Sequence, residues 1–571
     1  MTQGTSRRRQ PAHSPAQAAA AGFWTQKVEP FLGRYSAVLS IVLVMVATVR
    51  IVSTYSELSL TFDEGGHFAC GLEYLQKHVY LYEAQHPPLS RAAMALLPYL
   101  NGARLVGGPN RDSEGPDVIE RSGNSDRTIF LMRLGILPFF WVACWVVYAW
   151  ARKFWSRAIA ALAMLCFTLI PTVLAHAGLA TTDMALTATL PAAFFALLLW
   201  CDSPTWPHAI LFGAASALAA LSKFTSLGYL PASALAALVL WCLQARPSPA
   251  KLWSLAQKRL PGFGLAVLAG AFLVWAGYWF SFGTGDLKLP AWEFFKGIGD
   301  ALGHNTGGHG SASYLLGDLS RRGWWYFFPV ALGIKTPLAL LFLMIVGLAI
   351  CCGRWRSTGE MSLLAFTIGV MAPAMTSPVN IGVRHVLPVY CSLSVMAALG
   401  IVGVAKWIGS PRAAGMFVGG LLLWTIISGA LAHPDYIAYF NEIAASRPEH
   451  FLVDSDFDWG QGYKRASRLF QKMGVDHVAA KLNGPRYHPK LYPFPKMTEI
   501  DDFRPTDGWS VVGATDMKHI SHTLNLQGLD FESIKRATQY RDAWFDAMEP
   551  TMRVDGLLLF YFPPGTAKNW K

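Results

Sequence analysis

Charge is what this chain has least of. Only 15% of its 571 residues are Asp, Glu, Lys or Arg, where soluble domains carry about 25%, and the mean hydropathy is +0.31. That excludes a water-soluble fold and predicts a polytopic membrane protein. Cysteines number eight and fall almost entirely within or beside apolar runs, so there is neither a disulfide framework nor a zinc spacing, and free thiols are expected. No Asn-x-Ser/Thr sequon occurs, which removes one mark of a eukaryotic secretory origin. A Walker loop, a Gly-rich dinucleotide fingerprint and a Ser-His-Asp order are also absent, leaving no basis for ATP-driven chemistry. Bases exceed acids by 48 to 36. They lie largely in short segments between apolar runs, a pattern of topology and anionic-lipid contact with no nucleic-acid partner.

What the chain does have is apolar length. Windows of about 20 apolar residues, enough to cross a bilayer, centre near 44, 139, 166, 192, 215, 235, 270, 340, 370, 395 and 422. Eleven crossings are expected, behind a disordered cytoplasmic tail over residues 1–32 that carries Arg7-Arg8-Arg9 and no cleavable signal pattern. Starting inside, the alternation puts Arg152-Lys153 with Arg157, then Arg246 to Arg259, then Arg354 and Arg356, then Lys406 and Arg412 on the cytoplasmic side. Each turn obeys the positive-inside bias. The long segments then fall outside: 56–128, 281–325 and everything after about 433.

The expected organisation is a transmembrane domain over 33–432 followed by a small extracytoplasmic α/β domain over 433–571. In the first outer loop, Glu64 to His78 and Pro87 to Leu100 carry apolar residues at helical spacing, as interfacial helices would. In the last domain, Val475 to Leu482, Trp509 to Gly513 and Gly556 to Phe562 predict strands, and Tyr463 to Met473 a helix.

Chemistry-bearing residues collect on the outer side. Asp63-Glu64 follows the first crossing; both suit a helix N-terminus, but His86-Pro87-Pro88-Leu89 and Arg91 share the loop and make a polar pocket the sharper reading. Thr182-Asp183 opens the fourth crossing, where a carboxylate at the edge of hydrocarbon needs partners. Lys223, Lys335 and Arg384-His385 sit at outer ends of crossings. Singly they could snorkel; together they run against the topology bias and point to a bound phosphate or pyrophosphate. His304, His309 and Trp324 lie in a glycine- and aromatic-rich loop suited to stacking on a sugar; the two histidines lack a third metal ligand. Asp454-Ser455-Asp456-Phe457-Asp458 fails as an EF-hand, with Trp459 at the sixth position and Arg465 at the twelfth. As a nucleotide-sugar Asp-x-Asp motif it lies on the wrong side of the membrane.

In their order and spacing, these motifs resemble the GT-C superfamily. The acidic pair, His86-Pro87-Pro88-Leu89, Thr182-Asp183, and Gly323-Trp324-Trp325 leading to Lys335-Thr336-Pro337 look like glycosyltransferase family 39, which includes protein O-mannosyltransferases and the lipid A aminoarabinose transferase. Gly382 to Pro388, His433 to Glu442 and Asp454 to Gln461 are similar to its bacterial phospholipid-carrier-dependent members. The resemblance runs from about 35 to 515. It implies a polyprenyl phosphate-linked sugar as donor, an extracytoplasmic acceptor (protein, lipid or polysaccharide), and inversion in one displacement. The setting is the bacterial inner membrane. Carried over, Asp63 is the catalytic carboxylate with Glu64 beside it, and Asp183 supports the donor or acceptor. Arg384, Lys335, Lys223, His86 and Arg91 contact the donor phosphate, and His304, His309, Trp324 and His385 the substrate. No metal or other cofactor is required. At His86 the chain departs from the lipid A enzyme, which has lysine there. A lipid-linked sugar flippase and a non-catalytic assembly protein are the competing functions; the first predicts inverted repeats, and no convincing internal repeat is visible.

Overall fold

The computed structural model describes residues 24–283, 288–307, 313–482, 491–501, 504–518 and 544–570. Eight of its helices are long and apolar enough to cross a membrane: Gln26–Ser53, Ser125–Phe154, Asp183–Asp202, Ser226–Ala245, Pro249–Gly277, Thr358–Met375, Val389–Ile408 and Pro411–Leu431. A ninth span is broken. Arg157–Thr168 and Pro171–Ala177 meet at 72°, where Pro171 starts the second piece with no N–H to continue the first. Two apolar helices, Trp206–Ser222 and Leu338–Gly353, are shorter than a full crossing. Together these account for all eleven expected apolar segments in a multi-pass membrane protein.

Burial sorts the helices into layers. Asp183–Asp202 and Val389–Ile408 are largely buried, and Trp150, Phe194 and Phe366 pack ring to ring among them. By contrast Gln26–Ser53, Ser226–Ala245, Pro249–Gly277 and Pro411–Leu431 present side chains such as Val49, Leu235, Leu268 and Leu423 to the outside. Apolar residues exposed all along a helix need lipid around them.

The segment after the first span folds as Phe62–Lys77, Pro88–Leu100 and a third helix that the sequence pattern did not predict, Arg111–Arg121. The first two cross so closely that a Cβ on Gly71 would collide with the backbone of Arg91; only glycine permits that approach. These helices pack as part of the protein body, with His67, Phe68, Leu72, Met94 and Ala95 buried.

The C-terminal part is a small α/β unit. Its five strands are β3 (His477–Lys481), β4 (Lys496–Glu499), β5 (Gly508–Gly513), β6 (Met552–Val554) and β7 (Leu557–Phe562), in the order β4-β3-β5-β7-β6. β3 runs parallel to β4 and β5, while β7 pairs antiparallel with β5 and β6. The helix Tyr463–Met473 ends at Gly474 in the left-handed conformation, φ 64°, and Phe470 packs on Trp509 and Phe494. A hairpin, β1 (Ser313–Leu315) with β2 (Asp318–Ser320), stands apart from this sheet. All eight cysteines are free thiols.

Candidate active site

Four of the expected carboxylates and cations meet at one end of the helix bundle, although 321 residues separate the first from the last. Asp63 stands in the first turn of Phe62–Lys77, and Asp183 begins Asp183–Asp202. Arg384 lies in the short 3-10 turn Val383–Val386. Its Nη1 donates to Asp63 Oδ2 at 2.7 Å and stands 3.9 Å from Asp183 Oδ2. Asp183 Oδ1 in turn accepts from Lys223 Nζ at 2.6 Å, the lysine that closes Trp206–Ser222. The result is an alternating row, Asp63, Arg384, Asp183, Lys223. Asp63 keeps 22% of its side chain exposed whereas Asp183 is almost completely buried, so Asp63 is the more accessible of the two carboxylates.

Burial pushes the Asp63 carboxyl up, but Arg384, with Arg111, more than reverses that and holds it below the usual carboxylate range. An ionised carboxylate accepts protons and hydrogen bonds only. Beneath the row, the Arg384 guanidinium carbon lies 4.2 Å from the Trp459 ring. Arg384 Nε is buried with no hydrogen-bond partner among the described residues. A charged donor left open in that way has capacity for one more acceptor.

A second polar network adjoins Asp63. Glu83 is paired with both Arg91 and Arg111 and accepts from His86 Nδ1 at 2.9 Å. The Arg91 Nε donates to His67 Nδ1 at 3.2 Å, and the His67 and His86 rings meet edge to face at 4.9 Å. An arginine can only donate, so His67 Nδ1 is the bare nitrogen and the ring proton is on Nε2. His67, Glu83 and His86 bring potential ligand atoms within 4.8 Å of one another. As a metal site they are poorly arranged, because two guanidinium groups already neutralise the one carboxylate and would repel a cation.

Several expected residues are engaged within the protein. The first is Glu64. It is 0% exposed against an equally buried Arg133. Its Oε1 accepts from Arg133 Nε and Ala180 N–H, and its Oε2 from Arg133 Nη2 and Thr61 N–H. With both oxygens engaged, it anchors the turn that carries Asp63. Lys335 does not face a phosphate site: its ammonium donates to the carbonyls of Ile437 and Asp456 and sits over Phe440. Arg91 is turned inward, with Nη1 on the carbonyls of Glu83 and His86, so it shapes the His86 turn instead of offering itself to a ligand. Arg111, unmarked in the sequence, is the more accessible guanidinium at 29% exposure.

The remaining expected residues lie around the rim. The Trp324 N–H donates to the Asn380 side chain at 2.6 Å, tying its loop to the segment before Arg384. The His385 carbonyl accepts from Tyr229 at 3.2 Å, and His304 stands in Trp292–Gly307. His309 lies outside the described residues. Two buried groups escaped the sequence reading altogether, Arg133 and His176. His176, in Pro171–Ala177, has its ring 6.2 Å from Trp459 and Nδ1 unpartnered among the described residues. A lone histidine inside an apolar run carries no sequence signal.

Comparison with known proteins gives a consistent picture. The family model "Dolichyl-phosphate-mannose-protein mannosyltransferase" matches residues 40–292, which include Asp63, Asp183 and Lys223 but stop short of Arg384. No curated protein matches the chain by sequence. Among solved structures, ArnT from Cupriavidus metallidurans bound to undecaprenyl phosphate superposes with a TM-score of 0.51 at 13% identity, covering 91% of this chain and 97% of its own. The same protein in its apo state gives 0.48 at 12% identity over 91% and 97%. The Archaeoglobus fulgidus oligosaccharyltransferase in its apo form gives 0.44 at 14% identity, over 81% of this chain and 62% of that one.

Proposed function

We propose that this chain, which shares its fold with ArnT and matches a mannosyltransferase family model over residues 40–292, is a GT-C membrane glycosyltransferase that moves a sugar from a polyprenyl phosphate-linked donor to an acceptor hydroxyl with inversion. The observation that carries this reading is the row in which Arg384 joins Asp63 to Asp183. Arg384 stands at the partly open end of that row with its Nε unpartnered among the described residues, and an anionic phosphate would satisfy that donor.

The chemistry follows from the placement. A hydroxyl is a weak nucleophile at neutral pH, and Asp63, ionised and accessible, removes its proton as the oxygen attacks the anomeric carbon. Charge grows on the departing lipid phosphate. Arg384 through its open Nε, and Lys223 behind it, stabilise that charge in a cavity shielded from water, where fixed charges act strongly. Asp183 holds both cations in place. The sugar phosphate bond is already activated, so no ATP is needed, and the chain's own cations stand where other enzymes use a metal. Chelators should leave transfer unchanged. We place the site on the extracytoplasmic face of a bacterial inner membrane because the basic turns all fall at the opposite ends of the spans. The bound lipid of the Cupriavidus protein is the kind of carrier proposed here.

The test is transfer of label from radiolabelled polyprenyl phosphate sugars by the full-length protein in lipid nanodiscs, with a membrane extract as acceptor. Label should move with wild type and not with Asp63→Asn. Equal transfer by both proteins would remove Asp63 from the mechanism, and donor binding without any transfer would favour lipid-linked sugar movement across the membrane.

A further inference from the structure

The segment Asp454 to Gln461, which fits neither of the motifs its acidic residues imitate, runs between the two loops that carry the reacting groups. Towards the first loop, the Trp459 carbonyl accepts from Phe62 N–H at 3.0 Å, and the Gln461 carbonyl from Ser59 N–H at 2.9 Å. Phe62 is the residue directly before Asp63. Towards the second, the Asp456 carboxylate accepts from Val383 N–H at 3.0 Å, and the Ser455 hydroxyl donates to the Ile381 carbonyl. Val383 is the residue directly before Arg384. Between those two, a Cβ on Gly382 would strike the Ser455 hydroxyl, so the loops approach as closely as a glycine allows.

Trp459 serves both sides at once. Its main chain holds Phe62, its ring lies 4.2 Å under the Arg384 guanidinium, and it is 1% exposed. The Gln461 side chain accepts from Trp459 N–H at 2.7 Å and donates to the Phe457 and Asp555 carbonyls, which fixes the indole's backbone to the C-terminal sheet unit. A cation over an indole face is attracted by the ring quadrupole, most strongly where water is excluded. We propose that Trp459 is the positioning residue that sets the Asp63–Arg384 pair, so that the C-terminal unit fixes the geometry of the reacting groups. The inference rests on the glycosyltransferase reading for its catalytic consequence and on the contacts alone for its structural one.

The test is a double-mutant cycle on the full-length protein in nanodiscs, using Trp459→Leu, Trp459→Phe and Arg384→Gln. Removing the ring should lower kcat about thirtyfold, the rate equivalent of a desolvated cation–π contact, and Trp459→Phe should recover most of that loss. In the Arg384→Gln background the same Trp459→Leu change should cost less than about twofold, since the partner is gone. An equal loss in both backgrounds, or Phe as damaging as Leu, overturns the proposal. If the wild-type protein transfers no sugar at all, the functional reading fails separately. The positioning role is then judged by the same cycle in thermal midpoints without substrate: sub-additive losses support it and additive ones overturn it.

Discussion

Asp63 and Glu64 are neighbours of the same chemical type, and the structure gives their amide variants opposite phenotypes. Glu64 accepts four hydrogen bonds at 2.8 to 2.9 Å, two of them from Arg133, and Arg133 also donates to the carbonyls of Tyr55, Leu58 and Ser59. Neither side chain has any exposure. Glu64→Gln therefore leaves a buried guanidinium without its counter-charge and sets an amide N–H against existing donors, a loss of about 3–5 kcal/mol. Asp63 is partly open to solvent, and without it Arg384 still has Asp183 at 3.9 Å. Asp63→Asn should cost no more than about 1 kcal/mol, yet lower transfer by about a hundredfold to ten-thousandfold, the range for loss of a general base. Thermal unfolding in nanodiscs and transfer per mole of folded protein separate the two. Glu64→Gln should melt clearly lower while its folded fraction keeps most of its activity; Arg133→Lys should not restore the midpoint of the wild type, because one ammonium cannot reproduce the forked contacts. A Glu64→Gln protein of normal stability and no activity would refute the division of labour argued here.

Freed from Asp63, the Arg384 guanidinium should hold an anion better: Asp63→Asn should bind undecaprenyl phosphate about threefold to fivefold more tightly, the worth of one partly exposed ion pair, as read by native mass spectrometry or a lipid-binding titration. Weaker binding would show that Asp63 helps to hold the lipid. Lys223→Met takes from the almost completely buried Asp183 its 2.6 Å partner and leaves it Arg384 at 3.9 Å; it should lower stability by about 3 kcal/mol, whereas adding Asp183→Asn should return part of it, and no recovery in the double variant would mean that the two do not act as a pair. Burial pushes the Glu83 carboxyl up, but Arg91, His86 and Arg111 more than reverse this and hold it well below its ordinary value of 4.5. A depressed folded value stabilises the protein above the unfolded value and loses that stabilisation as pH falls through and below it. The melting temperature should therefore fall below about pH 4.5, and Glu83→Gln should make that fall shallower; an unchanged slope would show that Glu83 is not the group responsible.

Much of the architecture was legible because it rests on local regularities. Apolar length located every helix of the bundle, including Trp206–Ser222 and Leu338–Gly353, which are too short to pass a strict length test. Short apolar runs found β3, β5 and β7, and the stretch Tyr463–Met473 is a helix with its expected ends. The misses have equally local causes. β4 is exposed throughout and reads Lys-Met-Thr-Glu, with no buried face to print a pattern on the sequence. Arg111–Arg121 contains Gly115 and Pro116 and six charged residues, a composition that argues for loop; it is helical because Asn110 caps it, accepting from the Asp112 and Ser113 N–H groups, and because Val118 and Ile119 are buried.

In the site, residue type and position along the spans picked out Asp63, Asp183, Lys223 and Arg384, yet could not tell a reacting carboxylate from an anchoring one. That distinction depends on who stands opposite. Arg133 occurs in the middle of an apolar run with no motif around it, and its pairing with Glu64 spans 69 residues; nothing local announces it. Lys335 shows the converse. Its position at a span end suits a phosphate contact, but its acceptors are the carbonyls of Ile437 and Asp456, and a backbone carbonyl is the same in every residue. Trp459 is the sharpest case, because its carbonyl, its ring and its N–H each face a different element. A contact made through the main chain leaves no preference for side chain, so the residues proposed to align Asp63 with Arg384 had to be found in three dimensions, while Asp63 and Arg384 themselves stood out by residue type and position.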